Sequence, residues 1–226
     1  MSGIRAEKVG EVLFIDHCEI PLGETKGVVL VLLDGATSLL WVTPQKTKSE
    51  EETRESVREW MYQHTCKPQH LVCDMAFFTP SFESFWTFHG VKMPPLGPRT
   101  PWPNRAGTAI RIFKRQFCHL VTDIGKEPTL KDVSFRQLCR VTCSARNASL
   151  TIRGCTPMEL ATGRRPADFL DVENMKPDAL SMEPLLEDKS TQILQTLALN
   201  AHLSTRQEVD LRRDLASRLR LSQGPF

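Results

Sequence analysis

Six consecutive apolar residues, 28–33, place the first limit on the fold of this chain. A strand with apolar side chains on both faces has to be covered on both sides, which is typical of the centre of a helix-flanked sheet. Apolar runs at residues 11–16, 39–43 and 71–74 predict three more strands. Residues 91–93 predict a fifth strand, at the edge of the sheet. The pattern therefore favours an α/β fold with a mixed five-stranded sheet and flanking helices.

Helical patterns occupy most of the chain between and after these strands. The first helix begins at Ser49, where Ser49 and Glu52 form a capping-box sequence, and it ends before Pro68. Its apolar stripe contains Val57, Trp60, Met61 and His64. A proline-rich loop precedes the third helix, for which Asn104 is the expected N-cap. The other predicted helices span residues 80–89, 105–122, 129–145, part of 154–166, and 187–222.

The length of 226 residues allows one domain of ordinary size and an extension. We divide the chain into a tail at 1–10, a main domain at 11–125, a helical completion of that domain at 126–170, a linker at 171–186 and a long helix at 187–222. The last segment is a C-terminal helical extension. Its leucine spacing is compatible with a coiled coil, although the heptad pattern breaks after residue 203.

Charge is distributed unevenly, although the net charge is only +2. Residues 84–122 and 133–158 contain no Asp or Glu. The cations of the first run are Lys92, Arg99, Arg105, Arg111, Lys114 and Arg115, and those of the second are Arg136, Arg140, Arg146 and Arg153. Such runs predict a surface that binds a polyanion. The alternative is a solvent-exposed basic face whose positive charge is balanced by acidic loops elsewhere in the chain.

The cysteines indicate a reducing compartment. The chain has seven of them and no Cys-x-x-Cys pair, and it shows neither a secretory signal nor an apolar run that could cross a bilayer. We expect reduced thiols, no membrane partner and a nuclear or cytoplasmic location. Cys139 and Cys143 lie one helical turn apart, and we interpret them as core residues in preference to metal ligands.

Two aspartates, Asp16 and Asp74, each follow a predicted apolar strand. If those strands are neighbours, the two carboxylates meet at one end of the sheet. Carboxylates that lie close together repel each other, and Mg²⁺ or Mn²⁺ is their usual neutraliser in proteins. The sequence therefore predicts a metal site at this end, with Asp16 and Asp74 as its ligands. Strand-terminal aspartates are common, so the spacing by itself leaves a purely structural interpretation open.

Several segments resemble the catalytic core of retroviral and gypsy-type retrotransposon integrases. They are the strand that ends in Asp16, residues 27–38, residues 67–78 around Asp74, residues 100–115 and residues 156–166. The last two segments are the most specific part of the resemblance. The resemblance implies an RNase H-like fold and two-metal phosphoryl transfer on DNA by an Asp-Asp-Glu site. It departs from the family after Asp74, where Met75 and Ala76 stand in place of the usual Asn/Arg-Gly.

The same resemblance places Gly107 where the family has its catalytic glutamate, with Thr108 as the alternative under a one-residue shift. It implies that Asp16 and Asp74 are the remaining catalytic and metal-binding residues, and that Asp34 is structural. Arg111 and Lys114 follow Gly107 on one helix face, where the family binds DNA. The expected nucleic-acid-binding residues are Arg99, Arg105, Arg111, Lys114 and Arg115.

Three hypotheses follow for the function. The first is a domesticated or degenerate retroelement integrase core that is catalytically impaired and binds nucleic acid or protein partners. The second is an active Mg²⁺-dependent integrase or nuclease in which Glu83 or a neighbouring chain supplies the third acid, and the third is a structural α/β domain. The expected cofactor is Mg²⁺ or Mn²⁺, as one weakly bound ion, with no zinc. The expected partners are DNA and further copies of the chain.

Overall fold

The computed structural model describes residues 6–22, 25–94, 105–130, 132–150, 154–164 and 186–221, with side chains in the last segment described over 190–213. Several predicted features lie outside these residues. They are Asn104 with the proline-rich loop, Arg99, Arg153 and nearly all of the linker at 171–186.

The described residues form a four-stranded mixed sheet. Its strands are β1 (Val12–Leu22), β2 (Thr25–Asp34), β3 (Leu40–Gln45) and β4 (His70–Val72), in the spatial order β3-β2-β1-β4. β1, β2 and β3 form an antiparallel meander, and β4 pairs in parallel with β1. The four strands predicted most directly from apolar runs are therefore confirmed.

The predicted fifth strand at 91–93 is wrong. Lys92 makes an isolated parallel bridge to His70. The backbone N–H of Leu71 donates to the Lys92 carbonyl at 2.8 Å, and the Lys92 N–H donates to the Gln69 carbonyl at 2.8 Å. Pro94 follows two residues later and has no N–H to donate, so the ladder does not continue.

The prediction that β1 ends at Asp16 is also wrong. β1 continues to Leu22 and pairs with β2 along this whole length, which places Asp16 opposite Val31 in the middle of the strand. Cys18 and Ile20 continue the buried alternation beyond Asp16. β4, in contrast, ends at Val72, two residues before Asp74.

Within the described residues, six α-helices surround the sheet. They are α1 (Glu50–His64), α2 (Pro80–Phe88), α3 (Arg105–Ile124), α4 (Phe135–Ser149), α5 (Pro157–Thr162) and α6 (Leu186–Leu221). In α1 the Ser49 hydroxyl accepts from the Glu52 N–H, whereas the Glu52 carboxylate accepts from the backbone N–H groups of Lys46 and Thr47, so only half of the predicted capping box forms.

The predicted start of α4 at residue 129 is wrong. Residues Pro128–Leu130 form a short 3₁₀ turn, and α4 begins at Phe135. Ser134 and Gln137 form a complete capping box at that point, in which each side chain bonds the other's backbone N–H. This box is a stronger start signal than Thr129.

Side chains alternate between two apolar cores, one on each face of the sheet. On the first face Val12, Phe14, Cys18 and Ile20 of β1 pack with α3, α4 and α6. On the second face Leu13 and Ile15 pack with residues of α1 and α2, among them Val57, Trp60, Phe82 and Trp86. The sheet is thus covered on both sides, as the apolar run at residues 28–33 requires.

The C-terminal helix α6 is part of the first core. Leu194, Ala198 and Ala201 are buried there, and α6 packs against α3 and α4. Farther along the helix, Leu211 is exposed. Among the described residues no helix is both long and apolar enough to span a membrane.

Candidate functional site

The parallel pairing of β1 with β4 brings the two aspartates to the same level of the sheet. Phe14 lies opposite Val72, and both chains continue for two residues to Asp16 and Asp74. Asp16 follows Phe14 and precedes Cys18 in the row that faces α3, and it is half-buried. Asp74 is exposed and directly precedes a 3₁₀ turn, Met75–Phe77.

The two carboxylates interact electrostatically. Burial, followed by the negative charge of Asp74, raises the pKa of Asp16 to about 6, while the backbone N–H of His17 and the positive charges of Lys114 and Lys48 act in the opposite direction. A half-buried carboxylate beside a second carboxylate is a place where a cation is stabilised. The arrangement can therefore accept one positive ion between or above the pair.

His17 is not a third ligand, because it lies on the other face of the sheet. Its ring stacks on Phe77 at 4.8 Å between centroids. Its Nε2 lies 2.9 Å from Gln45 Oε1 and 3.2 Å from Thr53 Oγ1. Burial lowers the pKa of His17, which favours the neutral ring.

Gly107 lies in the first turn of α3 and is exposed. A Cβ atom added to Gly107 would have no other atom within 4 Å, apart from its immediate chain neighbours and its own helix backbone. Across the described part of the chain, no group of three or more His, Cys, Asp or Glu side chains could hold a metal ion. Glu83, in α2, therefore does not complete a three-acid site with Asp16 and Asp74 within this chain.

Arg105, predicted to bind nucleic acid, has partners within the fold. Its guanidinium donates to the Gly35 carbonyl at 2.7 Å and to Ser38 Oγ at 3.1 Å, and it lies 5.7 Å from the centroid of the Phe14 ring. Arg105 therefore ties the start of α3 to the turn between β2 and β3. The sequence does not predict this contact, because the two segments are distant along the chain and no local pattern links them.

Asp34 holds that same turn together from inside. It is fully buried and accepts hydrogen bonds from the backbone N–H of Gly10 at 2.8 Å and from both the N–H and the hydroxyl of Thr37 at 2.8 and 2.7 Å. A carboxylate satisfied by this many donors is a structural group. The structure thus agrees with the structural role that we expected for Asp34.

The cations of α3 and α4 differ in their surroundings. Arg111 is exposed, Lys114 and Arg115 are half-buried, and none of the three forms an ion pair with a carboxylate of the described residues. In α4, by contrast, Arg146 is buried and donates to the Ser38 carbonyl at 2.9 Å, and Arg140 pairs with Glu59 at 3.4 Å. Within the described ranges, the first basic run therefore offers more cations to an external anion than the second does.

No protein-family model matches this chain, and no curated protein matches its sequence. Solved structures do match its fold. The catalytic core of HTLV-2 integrase, in complex with magnesium and in a dimeric form, aligns with a TM-score of 0.56 at 17% identity, over 71% of this chain and 100% of that core.

Two further viral proteins align in the same way. A chain of the simian T-cell lymphotropic virus intasome in complex with the PP2A regulatory subunit B56 gamma aligns with a TM-score of 0.59 at 17% identity, over 72% of this chain and 58% of that chain. The catalytic core of BIV integrase aligns with a TM-score of 0.52 at 15% identity, over 67% of this chain and 93% of that core. At these identities the alignments establish the architecture alone: the chain has the RNase H-like fold of a retroviral integrase catalytic core.

Proposed function

We propose that this protein is derived from a retroelement integrase core, that it binds DNA through α3, and that it is impaired in phosphoryl transfer. One observation carries the proposal. Asp16 and Asp74 each lie two residues beyond the paired Phe14 and Val72, and the described residues bring no third acid to them. The integrase-like architecture supports the assignment of these two residues as the remnant of an Asp-Asp-Glu site.

The donor set fits one divalent ion and does not fit two. Asp16 and Asp74 would hold Mg²⁺ or Mn²⁺, since both metals prefer carboxylate oxygens. A bound ion would act as a Lewis acid and neutralise charge on a phosphate oxygen. Two-metal transfer requires a further anionic ligand, and a glycine at position 107 cannot supply one. Because the pKa of Asp16 is raised to about 6, a cation at this pair would compete with a proton in mildly acidic solution.

DNA binding is the part of the function that the chain retains under this proposal. Arg111 and Arg115 project from α3 without a described carboxylate partner, and no acid occurs in residues 84–122. Cations that are not neutralised within the protein are free to replace the counterions of a nucleic-acid backbone. The proposal therefore assigns α3 to phosphate contacts.

Salt dependence tests the DNA-binding part. We expect the wild-type protein to bind a DNA duplex with an affinity that falls steeply between about 50 and 200 mM salt. Replacement of Arg111 or Arg115 by Gln should weaken binding and reduce the slope of log affinity against log salt by about one for each phosphate that the variant no longer binds. Lys126→Gln is the matched control, because Lys126 already pairs with Asp123 at 2.9 Å. An absence of binding at low salt would refute this part of the proposal.

A nuclease and strand-transfer assay tests the catalytic part. We expect no Mg²⁺- or Mn²⁺-dependent cleavage or joining of DNA by the wild-type protein. Activity that disappears in Asp16→Asn and Asp74→Asn would instead establish the second candidate, an active enzyme whose third acid comes from a neighbouring chain. Because the HTLV-2 core was solved in dimeric and trimeric forms, the same samples should be sized in solution.

A further inference from the structure

The pairing of β1 with β4 ends before it reaches the two aspartates. The last paired residues are Phe14 and Val72, and both chains run on for two further residues to Asp16 and Asp74. Beyond that point β1 continues as a strand paired with β2, whereas the chain after Asp74 enters the 3₁₀ turn Met75–Phe77. The register of the ladder therefore brings the aspartates near each other, and the spacing between them depends on contacts beyond the ladder.

His17 and Phe77 provide such a contact. His17 is the residue after Asp16, and its ring stacks on the Phe77 ring at 4.8 Å between centroids, with an angle of 17° between the ring planes. The backbone N–H of Phe77 donates to the Asp74 carbonyl at 3.0 Å. The stack thus joins the residue that follows one aspartate to the residue that is hydrogen-bonded to the other.

Neighbouring side chains hold both rings in place. Nε2 of His17 lies 2.9 Å from Oε1 of Gln45, on β3, and 3.2 Å from Oγ1 of Thr53, on α1. Phe77 is buried, and its ring also lies 6.1 Å between centroids from the ring of Phe82, on α2. The stack is therefore fixed from both sides, by β3 and α1 at His17 and by α2 at Phe77.

We propose that His17 is a positioning residue for the aspartate pair, which sets the place of Asp74 relative to Asp16 through its stack on Phe77. Two carboxylates that lie close together repel each other, so a pair that binds metal needs a contact that keeps its two segments together. Side chains alternate along β1, and His17 therefore makes this contact within the second core, on the opposite face from Asp16. Removal of a contact that orients a metal ligand weakens binding although every ligand is still present.

The inference rests on the proposed function in one respect, namely that the aspartate pair binds a divalent ion. Its test therefore has one arm without metal and one arm with Mn²⁺ alone as the probe. The first arm measures hydrogen exchange of the residue-77 amide by NMR in buffer that contains EDTA. The second measures Mn²⁺ affinity by isothermal titration calorimetry. Both arms use the full chain, as the wild type, His17→Ala, His17→Phe and Val91→Ala.

His17→Ala should speed the exchange of the residue-77 amide by about three- to tenfold, because the aromatic pair that holds it is lost, and it should weaken Mn²⁺ binding by about tenfold. His17→Phe loses the hydrogen bonds to Gln45 and Thr53 but keeps a ring, and it should return both quantities to within about twofold of the wild type. Val91→Ala is the matched control, because Val91 is buried in the same core beside the bridge between Lys92 and the start of β4. It should lower the melting temperature and leave both quantities unchanged.

Wild-type exchange in His17→Ala, or the same acceleration in Val91→Ala, would overturn the inference. An unchanged Mn²⁺ affinity in His17→Ala would overturn it as well. If His17→Ala does not fold, Phe77→Leu takes its place with the same expected results, because it keeps an apolar side chain and removes the stacked ring. A wild-type protein that binds no Mn²⁺ would refute the metal-binding part of the proposed function, and the exchange arm would then decide the role of His17.

Discussion

A glycine in the first turn of a helix is unusual, because it adds backbone entropy to the unfolded state and offers no side chain to the folded one. Gly107 is the third residue of α3, and its surroundings are open. Neither a close contact nor a left-handed backbone explains why glycine is there, since it is absent from the glycines with positive φ. A carboxylate at this position would be favoured by the helix dipole. The residue therefore confers no structural benefit that we can identify.

Gly107→Glu should raise the stability of the protein by about 1 kcal/mol, because a better helix former replaces glycine and a negative charge enters the positive end of α3. The same substitution should tighten Mn²⁺ binding, measured by isothermal titration calorimetry. Gly107→Gln is the matched control, with the gain in helix propensity and without the charge. Equal Mn²⁺ affinities for these two variants would argue against Gly107 as the position of the missing acid. Tighter Mn²⁺ binding by Thr108→Glu than by Gly107→Glu would favour the alignment that is shifted by one residue.

Arg105 stabilises the fold, and we do not expect it to contact DNA. Arg105→Met keeps an aliphatic side chain and removes the hydrogen bonds to Gly35 and Ser38. We expect a loss of about 1–2 kcal/mol in the free energy of unfolding, measured in urea. The salt slope of DNA binding should stay at its wild-type value, in contrast to Arg111→Gln. A smaller salt slope for Arg105→Met than for the wild type would instead support the phosphate contact that the sequence predicts for Arg105.

The strands and helices were predictable to different degrees. Apolar runs located β1 to β4 because burial on both faces leaves a strong composition signal. Lengths and ends were harder, since they depend on partners: β1 continues past Asp16 because β2 pairs with it as far as Leu22. The level at which Asp16 and Asp74 meet follows from the register of β1 with β4, and no local pattern encodes a register.

The docking of α6 on α3 produces a pH dependence. Gln116 Nε2 donates to His202 Nδ1 at 2.6 Å, and both side chains are buried. Burial, together with Arg146 and Arg206, lowers the pKa of His202 to about 4. The unfolded chain binds a proton at His202 near pH 6.5 and the folded chain does so only near pH 4, so this residue removes stability as the pH falls between these values.

Between about pH 7 and pH 4.5 the wild-type protein should lose about 2 kcal/mol more stability than His202→Gln, in which the hydrogen bond to Gln116 can persist without a titrating group. Urea unfolding at the two pH values measures this difference. Parallel losses in the two proteins would show that His202 does not control the docking of α6.

The molecule as a whole is one folded unit that includes its C-terminal helix. Two core layers enclose the sheet, and α6 supplies part of the first layer through Leu194, Ala198 and Ala201. The sequence predicts a C-terminal extension at residues 187–222, because no sequence pattern shows that this helix packs on the core. The contacts that place α6 in the core are tertiary, and among its described side chains the buried ones lie between Leu194 and Thr205.

A chain that ends at residue 185 should lose about 5 kcal/mol of stability, comparable with the total for many domains, because removal of α6 exposes an apolar face on α3 and α4. We expect it to aggregate or to melt without cooperativity in differential scanning calorimetry. A chain that ends at residue 213 keeps the buried residues that the structure describes in α6, and it should melt within a few degrees of the full protein. Wild-type melting of the shorter chain would contradict the role of α6 in the core.

One position on the β3 edge of the sheet is paired with a side chain. Asn147 of α4 accepts from the Leu40 N–H at 3.0 Å and donates to the Leu40 carbonyl at 2.8 Å, as a neighbouring strand would. An exposed strand edge can recruit the edge of another molecule and so begin amyloid-like association. The amide of Asn147 occupies the first such pairing position on β3. A protein has to remain dispersed at cellular concentrations, and an amide that occupies a pairing position on a strand edge works toward that requirement.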